Sequence, residues 1–133
     1  MGDGKPTAPL SILLVDDEPL VALRLKPALE KNGYRVVAFE DGAQAVARLA
    51  QEDFDIIVTD IRMEPLDGLK VLEAALQRRP HTKVIIITGY ATVELAREAM
   101  AKGAFEVIAK PFRPNDLREA IDKAVRALKA ETA

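Results

Sequence analysis

Five short runs of β-branched and apolar residues alternate with helix-like stretches along this chain, and that alternation limits its fold more than any other feature. The runs are Ser11–Val15, Arg35–Phe39, residues 55–59, Lys83–Thr88 and residues 105–109. Four are almost continuously apolar, as expected of strands covered on both faces of a parallel sheet. The second, Arg35-Val36-Val37-Ala38-Phe39, is more mixed and is expected at a sheet edge. Helical patterns cover Pro19–Lys31 and residues 42–51, 66–79, 91–102 and 114–129. Pro19 suits a first helical position, and Asn32-Gly33 and Gly103 suit helix ends. In the last pattern Leu117, Ala120, Ile121, Ala124, Val125 and Leu128 keep the i, i+3, i+4, i+7 spacing of one buried face. Repeated strand–helix units with right-handed crossovers predict a doubly wound α/β fold, a five-stranded parallel sheet with five helices. Pro27 conflicts locally with its helix, because interior proline removes a hydrogen bond, and a kink is expected near Leu23 to Pro27.

At 133 residues the chain fits one domain. Residues 1–9 are Gly/Pro-rich and read as a tail, 10–130 as the folded module and 131–133 as a second short tail. Nineteen Lys and Arg against 21 Asp and Glu give a net charge of -2, with no basic footprint for nucleic acid. Absence of cysteine excludes disulfides, thiolate metal sites and thiol nucleophiles. No apolar run approaches the roughly 20 residues that span a bilayer. Residues 1–9 lack a secretory apolar core, and Pro6 breaks the myristoylation pattern, so a cytoplasmic protein without membrane attachment is expected.

Function is carried by the polar residues that close four of the runs: Asp16-Asp17, Asp60, Thr88 and Lys110. Ligands of open parallel sheets bind outside the carboxyl ends of the strands. Equivalent ends would bring three carboxylates, a hydroxyl and an ammonium into one cleft. Clustered carboxylates repel unless a cation lies between them, and hard oxygens suit Mg²⁺. A lysine and a hydroxyl opposite them suit phosphoryl oxygens. The expected chemistry is metal-assisted phosphoryl transfer onto a carboxylate. Asp16-Asp17 could also cap the first helix, a role compatible with metal binding.

These residues, in this order, resemble the receiver domain of two-component response regulators. The matching segments are Leu13-Leu14-Val15-Asp16-Asp17-Glu18-Pro19, Val58-Thr59-Asp60-Ile61-Arg62-Met63, Asp67-Gly68-Leu69, Ile87-Thr88-Gly89, Gly103-Ala104-Phe105 and Lys110-Pro111-Phe112. The resemblance covers about Leu10 to Leu128, nearly the whole chain. The resemblance implies a flavodoxin-like sheet in strand order 2-1-3-4-5. It implies Asp60 as phosphoacceptor, and Asp17, Asp60 and the backbone carbonyl of Arg62 as Mg²⁺ ligands, with Asp16 acting through water. Thr88 and Lys110 would hold phosphoryl oxygens, and the Lys110-Pro111 bond would be cis. Such a module catalyses only its own phosphorylation and dephosphorylation. The Ala-rich segment before Gly103 and the Lys110-Pro111-Phe112 sequence look most like receivers of the nitrogen-regulator type.

Two departures stand out. Receivers usually carry Tyr or Phe three residues before the lysine, and here that residue is Val107. Either the switch runs through Thr88 and its loop, or another group such as Tyr90 reports it. The usual proline after the methionine is displaced by Glu64, while spacing to Asp67-Gly68 is kept. Bulky Arg62 and Tyr90 flank the expected path of an attacking water, which predicts slow self-dephosphorylation.

The resemblance implies a histidine kinase or histidine phosphotransfer domain as partner, docked on the first helix. There Val21, Leu25, Ala28 and Leu29 are expected in the core, leaving Leu20, Leu23 and Pro27 for the partner. The output surface would be helix 4, strand 5 and helix 5, feeding an unknown effector and compatible with a phosphorylation-dependent dimer. No helix-turn-helix or ATPase segment follows, so a stand-alone regulator and a receiver cut from a longer protein are both open. A phosphatase acting through an aspartyl-phosphate is the enzyme alternative. Such enzymes usually carry an acid two residues past the nucleophile, and here that residue is Arg62. The sequence shows no nucleotide-binding glycine loop, and its one histidine, His81, follows Pro80 in a predicted loop. A constitutive binding domain would have no use for the intact acids, Thr88 and Lys110.

Overall fold

In the computed structural model, which describes residues 9–61, 67–89 and 92–132, five strands alternate with five helices. The strands are β1 (Ser11–Val15), β2 (Arg35–Phe39), β3 (Ile56–Asp60), β4 (Lys83–Thr88) and β5 (Glu106–Ala109). The helices are α1 (Pro19–Lys31), α2 (Gly42–Leu49), α3 (Gly68–Arg78), α4 (Val93–Ala101) and α5 (Pro114–Thr132). All pairings are parallel, in the expected order β2-β1-β3-β4-β5, with β2 at one edge. The expectations for Arg62, Tyr90 and the turn carrying Glu64 lie outside the described residues.

Strand periodicity divides the apolar residues between two cores. Leu13, Val15, Ile57, Val84 and Ile86 pack with buried residues of α2, α3 and α4. Ile12, Leu14, Ile56, Val58, Ile85 and Ile87 pack with those of α1 and α5. The central strands are therefore buried on both faces, as their continuous apolar runs require. Between β1 and β3 the chain reverses its direction of growth across the sheet, which opens the crevice at their carboxyl ends.

Element ends differ from the sequence expectation where polar side chains take over backbone groups. α3 begins at Gly68 because the Asp67 carboxylate, at the cap, accepts from the amides of Leu69 and Lys70. Thr92 caps α4 in the same way through the Leu95 amide. β3 begins at Ile56 and includes Asp60, which lies opposite Ile87 of β4. α5 continues past Lys129 to Thr132, and Glu131 in that last turn meets His81 Nδ1 at 2.9 Å and Lys83 Nζ at 2.5 Å.

α1 is continuous through Pro27 to Lys31. One expectation for α1 is corrected. Ala28 is exposed rather than core, because inward-facing Leu29 next to it takes the buried position, with Val21 and Leu25 half-buried. Leu20 and Leu23 are 62% and 71% exposed, and Pro27 is exposed beside them.

Candidate functional site

The register of the sheet builds the site. Val15 of β1 lies opposite Thr59 of β3, so the next residues, Asp16 just past β1 and Asp60 at the end of β3, stand side by side. Thr88 ends β4 opposite Ala109 of β5, and the Lys110 amide donates to the Thr88 carbonyl at 2.8 Å. Asp16 is 1% exposed, Asp60 6% and Thr88 0%, whereas Asp17 is exposed. One carboxylate oxygen from each of Asp16, Asp17 and Asp60 falls within 4.8 Å of the others.

Lys110 reaches into this cluster. Its Nζ lies 2.8 Å from Asp60 Oδ2, 2.8 Å from Asp16 Oδ2 and 2.7 Å from Glu18 Oε1. The peptide bond after it, Lys110-Pro111, is cis, as the family resemblance implied. Burial alone would lower the ammonium's pKa, but the carboxylates of Asp16, Asp60 and Glu18 around it outweigh burial and hold the pKa well above the usual lysine value. Burial raises the Asp16 carboxyl above the ordinary aspartate range, against the pull of Lys110 and the Glu18 amide.

Asp16 Oδ1 accepts the Glu18 backbone N–H at 2.9 Å. Its Oδ2 is buried and has only the close charge of Lys110, without the alignment of a hydrogen bond. A buried carboxylate oxygen in that state is costly unless a cation completes its surroundings. Among the described residues the donor set is hard oxygen throughout, which fits Mg²⁺ better than a soft metal. Glu18 itself is the N-cap residue of α1 and makes no side-chain cap, so neither Asp16 nor Asp17 serves as that cap.

The sequence reading located Asp16, Asp17, Asp60 and Lys110, and the structure brings them together. Thr88 sits at the neighbouring strand end, joined to Lys110 through the backbone. Val107 is half-buried, packs against the core on the α2–α4 face and lies opposite Ile86. Glu18 was read only as part of a motif; its contact with Lys110 spans 92 residues of sequence and has no local signal. Gly68 and Thr59 were likewise unassigned, yet both touch the Asp60 backbone. A Cβ on Gly68 would lie 2.2 Å from the Asp60 carbonyl oxygen, and Thr59 Oγ1 donates to that same oxygen at 2.9 Å.

Comparison with known proteins gives a consistent result. The family model for the response regulator receiver domain matches residues 12–122. The response regulator receiver protein CpdR of Brucella abortus is 39% identical over 116 residues, covering 87% of this chain and 97% of that protein. The DNA-binding transcriptional regulator NtrC of Escherichia coli is 36% identical over 117 residues, covering 88% of this chain but only 24% of its own length. A CheY-like receiver domain from Methanospirillum hungatei superposes with a TM-score of 0.88 at 32% identity, covering 92% of this chain and 98% of that one.

Proposed function

Because this chain belongs to the response regulator receiver family, we propose that its two-component signalling switch is thrown by phosphoryl transfer to Asp60. One observation carries the reading: Lys110 Nζ stands 2.8 Å from Asp60 Oδ2, beside the gathered oxygens of Asp16, Asp17 and Asp60. A carboxylate attacks a phosphorylated donor poorly because like charges repel. Asp17, Asp60 and the Arg62 carbonyl would hold Mg²⁺, with Asp16 in its outer shell. Mg²⁺ bound there supplies neutralisation of the phosphoryl oxygens. Asp60 supplies the attacking oxygen, and as its P–O bond forms the donor's bond to phosphorus breaks, releasing imidazole from a phosphohistidine or acetate from acetyl phosphate. Lys110 turns its N–H donors from carboxylates to phosphoryl oxygens, and the Thr88 hydroxyl takes another of those oxygens. Catalysis is then positioning plus electrostatics around a loose transition state. The same groups serve hydrolysis, so the module catalyses its own phosphorylation and dephosphorylation.

The folded module is residues 10–130, acting in the cytoplasm. Its phosphoryl source is a histidine kinase or histidine phosphotransfer domain docked on α1, where exposed Leu20, Leu23 and Pro27 lie close in sequence to Asp16 and Asp17. Phosphorylation shifts a pre-existing equilibrium at α4, β5 and α5. Val93 and Met100 of α4 are 63% and 50% exposed, which supports an apolar output contact there. With Val107 in place of an aromatic ring, the switch runs through Thr88 and its loop.

The test is intact-protein mass after incubation with acetyl phosphate and Mg²⁺, beside an Asp60→Asn control. Gain of one phosphoryl group in the wild type alone supports the reading. No gain, with Mg²⁺ binding demonstrated separately, would overturn it for small-molecule donors and leave the phosphohistidine domain as the donor to assay.

A further inference from the structure

We propose that Thr59 and Gly68 are positioning residues for Asp60, holding its backbone carbonyl from two sides. The proposal rests on Asp60 being the phosphoacceptor. Neither residue touches the reacting atoms; both act through the Asp60 peptide.

Thr59 is fully buried in a strand whose other members, apart from Asp60, are apolar. A buried hydroxyl is costly unless bonded, and this one is spent on the next residue: Oγ1 donates to the Asp60 carbonyl at 2.9 Å. Strand parity puts Thr59 on the face of Leu13, Val15 and Ile57, the face that α3 covers. Gly68, the first residue of α3, arrives at that same carbonyl. An added Cβ would lie 2.2 Å from the Asp60 oxygen and 2.8 Å from Ile61 Cα, distances no side chain tolerates. The Gly68 amide also donates to the Ile61 carbonyl at 2.9 Å. The Asp67 cap fixes the start of α3 independently, through the Leu69 and Lys70 amides. The end of β3 is thus clamped between a hydroxyl inside the strand and a helix start seated on its backbone.

The consequence is geometric. Aspartate has a short side chain, so a small rotation of its peptide plane swings the carboxylate relative to Asp16 and Lys110. In-line transfer needs near-attack alignment, and displacement of about 1 Å can cost about a hundredfold in rate. A purely structural role makes a different forecast. Thr59→Val keeps the branched shape and suits a buried strand, so it would leave chemistry intact if the hydroxyl served only folding.

The experiment follows acetyl phosphate labelling of the full chain in Mg²⁺ by intact mass. It compares wild type, Thr59→Val, Thr59→Ser and Gly68→Ala, with Asp60→Asn as blank and circular dichroism as the fold check. Thr59→Val is expected to label about tenfold more slowly with an unchanged fold, Thr59→Ser within about twofold of wild type, and Gly68→Ala at least as slowly as Thr59→Val. Wild-type labelling in Thr59→Val overturns the proposal, as does a Thr59→Ser variant as slow as Thr59→Val. Should Gly68→Ala not fold, the Gly68 amide resonance of the wild type is followed through a Mg²⁺ titration. Movement that tracks saturation supports the glycine's share, and a stationary resonance removes it. Absence of wild-type labelling, or labelling of Asp60→Asn, would instead refute Asp60 as acceptor. In that event the Mg²⁺ midpoint still decides positioning: weaker in Thr59→Val and restored in Thr59→Ser supports it, and equal midpoints overturn it.

Discussion

Glu18 Oε1 accepts from Lys110 Nζ at 2.7 Å, tying the residue that opens α1 to the residue that follows β5. Asp60 Oδ2 accepts from the same ammonium at 2.8 Å, and Asp16 Oδ2 lies 2.8 Å away as an ion pair, so three carboxylates surround Lys110. Asp16 and Asp60 turn toward a bound cation in the proposed mechanism, but Glu18 has no such reason to let go. It is also a negative charge, 63% exposed, at the mouth of a site that must admit an anionic donor. Glu18→Gln should therefore label about threefold faster with acetyl phosphate at saturating Mg²⁺, a modest effect because solvent screens the charge. Mg²⁺ should bind the same variant more weakly. Labelling rates across a Mg²⁺ series separate the two effects; slower labelling at saturation would show that Glu18 aims the lysine rather than competing for it.

Asp16 is a buried carboxylate at the edge of the proposed Mg²⁺ site. Burial raises its carboxyl pKa, and its Oδ2 has no aligned donor. Asp16→Asn keeps an oxygen for the Glu18 amide and removes the buried charge. Thermal melting without Mg²⁺ should rise by a few degrees in the variant. Wild type should gain about 2.7 kcal/mol of stability when Mg²⁺ is a hundredfold above its Kd, and Asp16→Asn should lose most of that gain. Equal Mg²⁺ stabilisation of both proteins would remove Asp16 from the cation's surroundings.

Most of this architecture was legible because the strands are short, apolar and regularly spaced, and four of the five are closed by polar residues with little reason to be there except chemistry. Asp16, Asp17, Asp60 and Lys110 could be grouped because a parallel sheet puts equivalent strand ends side by side. Contacts between residues distant in sequence were not legible. Glu18 with Lys110, and Gly68 on the Asp60 carbonyl, depend on side-chain reach and on where α3 lands, which no local pattern encodes. Helix ends were misjudged where Asp67 and Thr92 satisfied backbone amides that periodicity alone assigns to the helix. Ala28 was misjudged because apolar spacing on α1 does not say which of two adjacent residues turns inward.

Asp55 fastens the opposite end of β1 and β3. Its Oδ2 accepts the Ser11 N–H at 2.8 Å and the Ser11 hydroxyl at 3.2 Å, and Arg79 lies 2.9 Å from Oδ1. Burial favours the neutral acid, but the bonds from Arg79 and Ser11 prevail and hold the carboxyl below the usual aspartate range. A folded-state pKa below the unfolded value gives stability that is complete above about pH 4 and is lost as pH falls through the folded pKa. Asp55→Asn should cost about 1 to 3 kcal/mol at pH 7, because Arg79 loses its ion partner in a half-buried setting. Denaturant titrations at falling pH should show the gap between variant and wild type closing below pH 4. A constant gap would mean that Asp55 acts through shape, not charge.

Pro27 removes the amide that would serve the Leu23 carbonyl, yet α1 runs through it unbroken. Leu23 is 71% exposed, so this stretch of α1 faces solvent. Pro27→Ala should still stabilise the fold, by up to about 3 kcal/mol, as read from denaturant midpoints. Acetyl phosphate labelling should not change, because the variant alters neither Asp60 nor Lys110.

Substitution of the exposed leucines of α1 tests the proposed partner docking separately from the chemistry. Leu20 and Leu23 are too exposed to contribute much to the core, and α1 begins immediately after the residues that supply Asp16, Asp17 and Glu18. An apolar patch beside an acidic site suits a partner helix that presents phosphohistidine and buries its own apolar surface around it. Leu23→Asp should leave melting temperature and acetyl phosphate labelling near wild type. Transfer from a phosphorylated histidine domain should fall at least about tenfold, since a buried unpaired charge at an interface costs more than 1.4 kcal/mol. The two donors must be compared on the same preparation. Equal losses with both would trace the defect to the site itself, and no loss with either would move the docking surface off α1.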